Sequence, residues 1–184
     1  MNYQTNHIAV FGGGCFWCTE AVFNRLKGVI SVTPGYAGGR TKDPTYSQVS
    51  YGDTGHAEVI KIEFDPSIIS YKDLVEVFFT SHNPTTLNQQ GADKGEEYRS
   101  IILYTSDAQK ETAEKVKKGF EDAKIFKDPI VTEIKKLDAF YEAEEEHKQF
   151  YEKNRYNFYC MLVINPKLQA LKNKHKALLK DTEL

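Results

Sequence analysis

Two cysteines three residues apart, in the run Gly12-Gly13-Gly14-Cys15-Phe16-Trp17-Cys18, are the residues of this chain best suited to do chemistry. The apolar run 7–11 ahead of them reads as a buried strand and 20–26 has helical spacing, so Cys15 falls at a strand-to-helix turn. Glycines there allow positive φ and leave amides uncovered, while the first turn of the helix supplies N–H groups with no partner inside it. A thiol at such a turn is expected to have its thiolate stabilised, and the thiolate is the nucleophile. Free cysteines are more often buried and inert, yet three glycines ahead of a bulky Phe16-Trp17 pair are destabilising unless the backbone has to be open. A zinc site wants about four ligands, and the third cysteine, Cys160, stands far off with no partner close in sequence.

Glu58 is the other reactive candidate. It opens an alternating stretch, 57–65, whose apolar residues Ile60, Ile62 and Phe64 share one face, and Glu58 lies on that same face. An inward carboxylate is unusual enough to point to function. Near a thiol and among aromatic rings it would hold its proton toward neutral pH, by desolvation first and like charge second, as a general acid must.

The elements that position these groups can be read from the rest of the chain. Residues 28–36 read as a strand, 70–79 as a helix capped by Ser70 with Leu74, Val75, Val77, Phe78 and Phe79 as its apolar stripe, and 100–104 as a short strand. An exposed helix is expected over 106–120 and a strand over 130–134. Two stretches without periodicity, 37–51 and 81–98, read as long loops, which in compact domains tend to carry function. The acidic run 142–146 is expected to open a solvated helix reaching 153, and the basic stretch 172–180 to be a solvated tail helix. The order strand, helix, strand, strand, helix, strand over 7–104 predicts an α+β fold: a ferredoxin-like split βαβ sandwich with an extra C-terminal strand, helices and coil. One catalytic domain is expected over 1–184, with its core at about 7–160 and a tail at 161–184.

At 184 residues the chain can bury a real core without disulfides. Its 24 basic and 26 acidic residues leave no electrostatic footprint for nucleic acid or for an anionic membrane. No apolar run approaches the ~20 residues that span a bilayer, and the first residues lack the basic and apolar parts of a secretory signal. Three cysteines are too few for a disulfide framework and fit a reducing cytoplasm, where a surviving pair is more often catalytic. A cytoplasmic monomer is expected, without nucleic-acid or membrane partners.

Five motifs occur in order: Gly14-Cys15-Phe16-Trp17, Gly35-Tyr36-Ala37-Gly38-Gly39, Tyr46-Ser47-Gln48-Val49-Ser50, Gly55-His56-Ala57-Glu58 and Pro84-Thr85-Thr86-Leu87-Asn88. On these, over about 7–160, the chain resembles the peptide methionine sulfoxide reductase A family. The resemblance implies that Cys15 is the nucleophile and Glu58 the acid. It places the sulfoxide oxygen on Tyr46 and Tyr98, with Asp93 in support, and the substrate methyl group against Phe16 and Trp17. It also implies reduction of methionine-S-sulfoxide, free or in oxidised peptides and proteins, through a sulfenic acid on Cys15 and then an intramolecular disulfide. No cofactor is implied beyond thioredoxin as external reductant. For the thiol that closes the disulfide, Cys160 resembles the family's resolving position, and Cys18 is the local alternative in a Cys-x-x-Cys spacing that closes readily in thioredoxin-like proteins.

From the residues alone, Tyr46 and Tyr98 also fit as amphipathic loop anchors, Asp93 as a turn residue, and His56 as either the base of a Cys-His pair or a loop histidine holding backbone. Two departures from the family pattern, Asn83 in His82-Asn83-Pro84-Thr85 and the acidic Gly95-Glu96-Glu97-Tyr98, are expected to touch loop structure or partner contacts more than chemistry. Rival functions use the same residues. A generic thiol-disulfide oxidoreductase needs Cys15 and Cys18 but neither the inward glutamate nor the tyrosines. A cysteine hydrolase needs a histidine beside Cys15, for which the sequence offers His56 and His82. A non-catalytic binding module leaves the glycine-cysteine turn without a purpose.

Overall fold

The computed structural model describes residues 7–181. β1 (His7–Gly13) runs into α1 (Phe16–Phe23), followed by β2 (Val29–Ala37), the short α2 (Tyr46–Ser50), β3 (Ala57–Phe64) and α3 (Tyr71–Ser81). A two-residue hairpin, β4 (Gln89–Gln90) and β5 (Asp93–Lys94), precedes β6 (Ser100–Tyr104), α4 (Asp107–Asp122), β7 (Glu133–Lys136) and β8 (Phe140–Glu142). The described chain ends through a one-turn α5 (Phe150–Lys153), a π-helical turn (Cys160–Ile164) and α6 (Asn165–His175).

Six strands form one mixed sheet in the order β7-β6-β1-β3-β2-β8. β3 lies antiparallel between β1 and β2, β6 is antiparallel to β1, and β7 runs parallel to β6. The protein is thus mixed α+β. Because side chains alternate along a strand, Phe11, Ile60, Ile62 and Phe64 join residues of α1, α3 and α4 in the main core. Val10, Ala37, Val59, Ile101 and Leu103 make a smaller cluster on the opposite face. Phe11 pins β1: its ring lies 5.7 Å from Phe23 of α1 and 5.1 Å from Phe78 of α3. Each such ring contributes roughly 1.5–3 kcal/mol by burial, so the strand that delivers Cys15 is anchored four residues upstream.

Several expectations hold. Ser70 caps α3 in a reciprocal box with Asp73, and the predicted apolar stripe is buried. Others need correction. α1 starts at Phe16 rather than 20, because nearly every side of it is buried and no polar face remains to reveal its period. The stretch 37–51 contains α2, begun by a Thr45–Gln48 capping box. β7 lies at 133–136 instead of 130–134, since Val131 N–H donates to Pro84 O at 2.8 Å instead of joining the ladder. The acidic run opens no solvated helix: Glu142 ends β8, residues 145–147 make a single 3₁₀ turn, and the helix shrinks to α5. The tail helix begins earlier than its basic stretch, with Pro166 in its first turn where a missing N–H does no harm. No helix among the described residues is long and apolar enough to cross a membrane.

Candidate active site

Cys15 occupies the N-cap of α1, as a strand-to-helix turn requires. Gly14 just before it has φ +92°, and a Cβ there would sit 2.6 Å from the Gln90 side chain. At Gly12 a Cβ would meet the Glu58 carbonyl at 2.8 Å, so only glycine lets β1 and β3 approach this closely. The orphan N–H of Phe16, at the first position of α1, is taken by Glu58 Oε2 at 2.9 Å. That bond fixes the carboxyl of β3 next to Cys15. Glu58 is only 2% exposed. Burial pushes its carboxyl up to about 8, and the charges of Glu97 and Asp93 act in the same direction against the pull of the Phe16 N–H.

The two thiols act on each other and titrate as a unit. Burial first, then the bond to Cys18 and the charge of Glu58, raise Cys15 well above the ordinary thiol range. Cys18 is lowered to about 6, chiefly because the Cys15 thiol donates to it, with help against burial from Lys167 and the Tyr159 hydroxyl. The pair therefore gives up its first proton near neutral pH, and the charge is shared between the two sulfurs. The first-turn N–H expected to stabilise a Cys15 thiolate goes to Glu58 instead.

Aromatic rings wall this cluster. Phe16 is fully buried, with ring centroids 5.8 Å from Tyr36, 6.5 Å from Tyr46 and 5.3 Å from His147. Trp17 stacks on Phe150 at 3.7 Å and 7°, and its Nε1–H donates to His147 Nδ1 at 3.3 Å. Burial, with the nearby Glu58 and Cys15 charges, keeps the phenols of Tyr46 and Tyr98 protonated, so both are hydrogen-bond donors. Asp93 reaches Tyr159 Oη at 3.4 Å, and its charge acts on both Glu58 and Cys18. Cys160 is buried in one cluster with Cys18, against which Cys15 also packs. Cys15, Phe16, Trp17, Cys18, Tyr46, Glu58, Asp93, Tyr98 and Cys160 thus fall in one neighbourhood.

Sequence reasoning missed Glu144, His147 and Tyr159. Glu144 Oε1 accepts from Tyr46 N–H at 2.8 Å and Oε2 from the Tyr36 hydroxyl at 2.7 Å. Against its partial burial, those two bonds hold its carboxyl below the usual range. Only the Tyr36 motif hinted that something must meet that hydroxyl. The Asn83 departure behaves as expected: its Oδ1 accepts from Thr85 N–H at 3.0 Å and Oγ1 at 2.7 Å, closing a loop turn. Glu97 reaches further than loop structure, because it is buried and its charge raises Glu58.

The hydrolase reading fails on its histidines. His56 Nδ1 accepts from Gly39 N–H at 3.0 Å and Nε2–H donates to Thr41 O at 2.7 Å, so it braces backbone. His82 is spent between Phe78 O and Ser100 Oγ, each at 2.7 Å, and burial lowers it to about 4. Among the described residues no group of His, Cys, Asp or Glu could hold a metal ion. What the site does offer, a coupled thiol pair beside a protonated carboxyl, is the equipment of a thiol-dependent oxidoreductase. The family model for peptide methionine sulfoxide reductase matches residues 7–179. Peptide methionine sulfoxide reductase MsrA of Sulfolobus acidocaldarius is 56% identical over 162 residues, covering 88% of this chain and 91% of that protein. Among solved structures, reduced Mxr1 from Saccharomyces cerevisiae superposes with TM-score 0.78 at 32% identity, over 86% of this chain and 91% of that one. Mxr1 in complex with Trx2 matches with TM-score 0.55 at 23% identity, over 82% of this chain and 89% of that one. The chain belongs to the peptide methionine sulfoxide reductase family, and it is an oxidoreductase that reduces methionine sulfoxide at the expense of thiols.

Proposed function

We propose that this chain reduces methionine-S-sulfoxide, free and within oxidised proteins, with Cys15 as nucleophile and Glu58 as acid. The observation that carries the assignment is the buried Glu58 carboxyl, tied to the start of α1 and protonated up to about 8. A disulfide substrate has no need of such an acid. A sulfoxide does, because its sulfur becomes electrophilic only when its oxygen is protonated or strongly hydrogen-bonded. Cys15 passes its proton to Cys18 and attacks the sulfur, while Glu58 protonates the oxygen and Tyr46 and Tyr98 donate to it. Asp93 supports that oxygen site, and Phe16 and Trp17 receive the methyl group. The S–O bond breaks with transfer of the hydroxyl to Cys15 Sγ, leaving methionine and a Cys15 sulfenic acid.

A thiol then attacks the sulfenic acid and water leaves. We assign this step to Cys160, with Cys18 as the alternative, and the regeneration of the dithiol to thioredoxin, which the complex of Mxr1 with Trx2 supports. No cofactor enters the cycle. The strand order β6-β1-β3-β2 supports a ferredoxin-like split βαβ core within a single catalytic domain, and so small a number of cysteines fits a cytoplasmic setting. Cys160→Ser is expected to release one methionine per enzyme and then stall when supplied with thioredoxin. Full turnover by that variant, read as methionine formed over time, would transfer the resolving role to Cys18.

Glu144 holds the backbone of Tyr46 and the hydroxyl of Tyr36 together. Glu144→Ala removes two bonds to a charged acceptor, each worth about 1.5–3 kcal/mol, part of which solvent restores. Single-turnover methionine formation is expected to slow about tenfold with the alkylation rate of the thiols unchanged. An unaltered rate in rapid-quench measurements would mean that Tyr46 is held elsewhere.

A further inference from the structure

Tyr159, one residue before Cys160, reaches the reactive thiols from the far end of the chain. Its hydroxyl lies 3.4 Å from Cys18 Sγ and 3.4 Å from Asp93 Oδ2, and its ring stands edge-on to Trp17 at 5.8 Å and 81°. Side chains from α1 and β5 thus fix a phenol that no step above employs. Burial, then the charges of Cys15 and Cys18, keep that phenol protonated far above its usual range. It has one proton to give and two acceptors in reach. While the pair is fully protonated, the proton goes to the Asp93 carboxylate and the Cys18 thiol donates to the phenol oxygen. Once the pair ionises, the sulfur is the charged acceptor, and charge-assisted bonds are the stronger ones.

We propose that Tyr159 is a positioning residue that donates its hydroxyl proton to the thiolate carried by the Cys15–Cys18 pair. The proposal rests on the thiol-dependent reading of the site. The other titratable or charged groups facing the pair are Glu58 on β3, Asp93 on β5, Lys167 on α6, Cys160 on the π-helical turn, and the two tyrosines Tyr46 and Tyr98.

Tyr159→Phe keeps the ring against Trp17 and removes only the hydroxyl. In the reduced full-length protein, the rate of iodoacetamide alkylation plotted against pH is expected to keep its shape and shift its midpoint upward by about one unit. A role in packing alone would scale the rate at every pH and leave the midpoint where it is. An unmoved midpoint overturns the proposal. Should that variant fail to fold by circular dichroism, 3-fluorotyrosine placed at 159 offers the same shape with a more acidic phenol. It is expected to lower the midpoint, and an unmoved or raised midpoint overturns the proposal. A failure of the reductase reading would be seen separately, as wild-type protein that forms no methionine while its alkylation midpoint still responds to residue 159.

Discussion

Glu58→Gln is expected to slow methionine formation by about 10²–10⁴-fold, the usual contribution of a positioned general acid, while Cys15 stays open to alkylation. The glutamine oxygen can still accept from Phe16 N–H, so the start of α1 keeps its cap and the loss falls on chemistry. The pH profile separates the acid role from a structural one. Glu58 holds its proton below about 8, so the wild-type rate falls as pH rises through that value. The Cys15–Cys18 pair gives up its first proton at about 6, so the rate also falls as pH drops through that value. The wild-type bell therefore lies between about 6 and 8, and Glu58→Gln is expected to lose its alkaline limb and keep its acid one. A variant with an unchanged single-turnover rate, or with the alkaline limb intact, would remove Glu58 from the reaction.

Cys15→Ser is expected to form no methionine above background, because a serine hydroxyl is neither ionised near neutral pH nor able to carry the transferred oxygen as a sulfenic acid. The change is small, and the helix start it occupies is capped through Phe16 rather than through the residue-15 side chain, so the fold should survive. Cys18 alone does not rescue the reaction, since it is 2% exposed and lies among Ala21, Cys160 and Ile164. Methionine counted by amino-acid analysis after incubation with a methionine sulfoxide peptide checks this. Residual turnover would place the nucleophile on Cys18.

Much of the site was legible because strict local rules govern it. Alternation along 57–64 was enough to turn Glu58 inward, and the bulk of Phe16-Trp17 behind three glycines announced the turn at Cys15. Ser70 and Asp73 disclosed the start of α3 for the same reason, since a capping box involves only four consecutive residues. What stayed hidden depends on partners distant in sequence. Glu144 differs from its acidic neighbours only in meeting Tyr36 and Tyr46 about a hundred residues away, and a run of carboxylates gives no sign of which one turns inward. Tyr159 likewise gains its meaning from Cys18 and Asp93. The state of the thiols was misread because the helix N–H expected to stabilise Cys15 was already committed to Glu58, a pairing across 42 residues. Burial on almost every side erased the period of α1, and the Val131–Pro84 bond displaced β7 in a way no propensity records.

The central claim is that a Cys15 thiol takes the oxygen of one sulfoxide epimer and then closes a disulfide. It is tested most directly by incubating the reduced protein, without added reductant, with separated S and R epimers of a methionine sulfoxide peptide while counting methionine formed and thiols lost. Stoichiometric methionine from the S epimer, with two thiols disappearing and none lost with the R epimer, is the expected result. Equal yields from both epimers, or thiol loss without methionine, would contradict it.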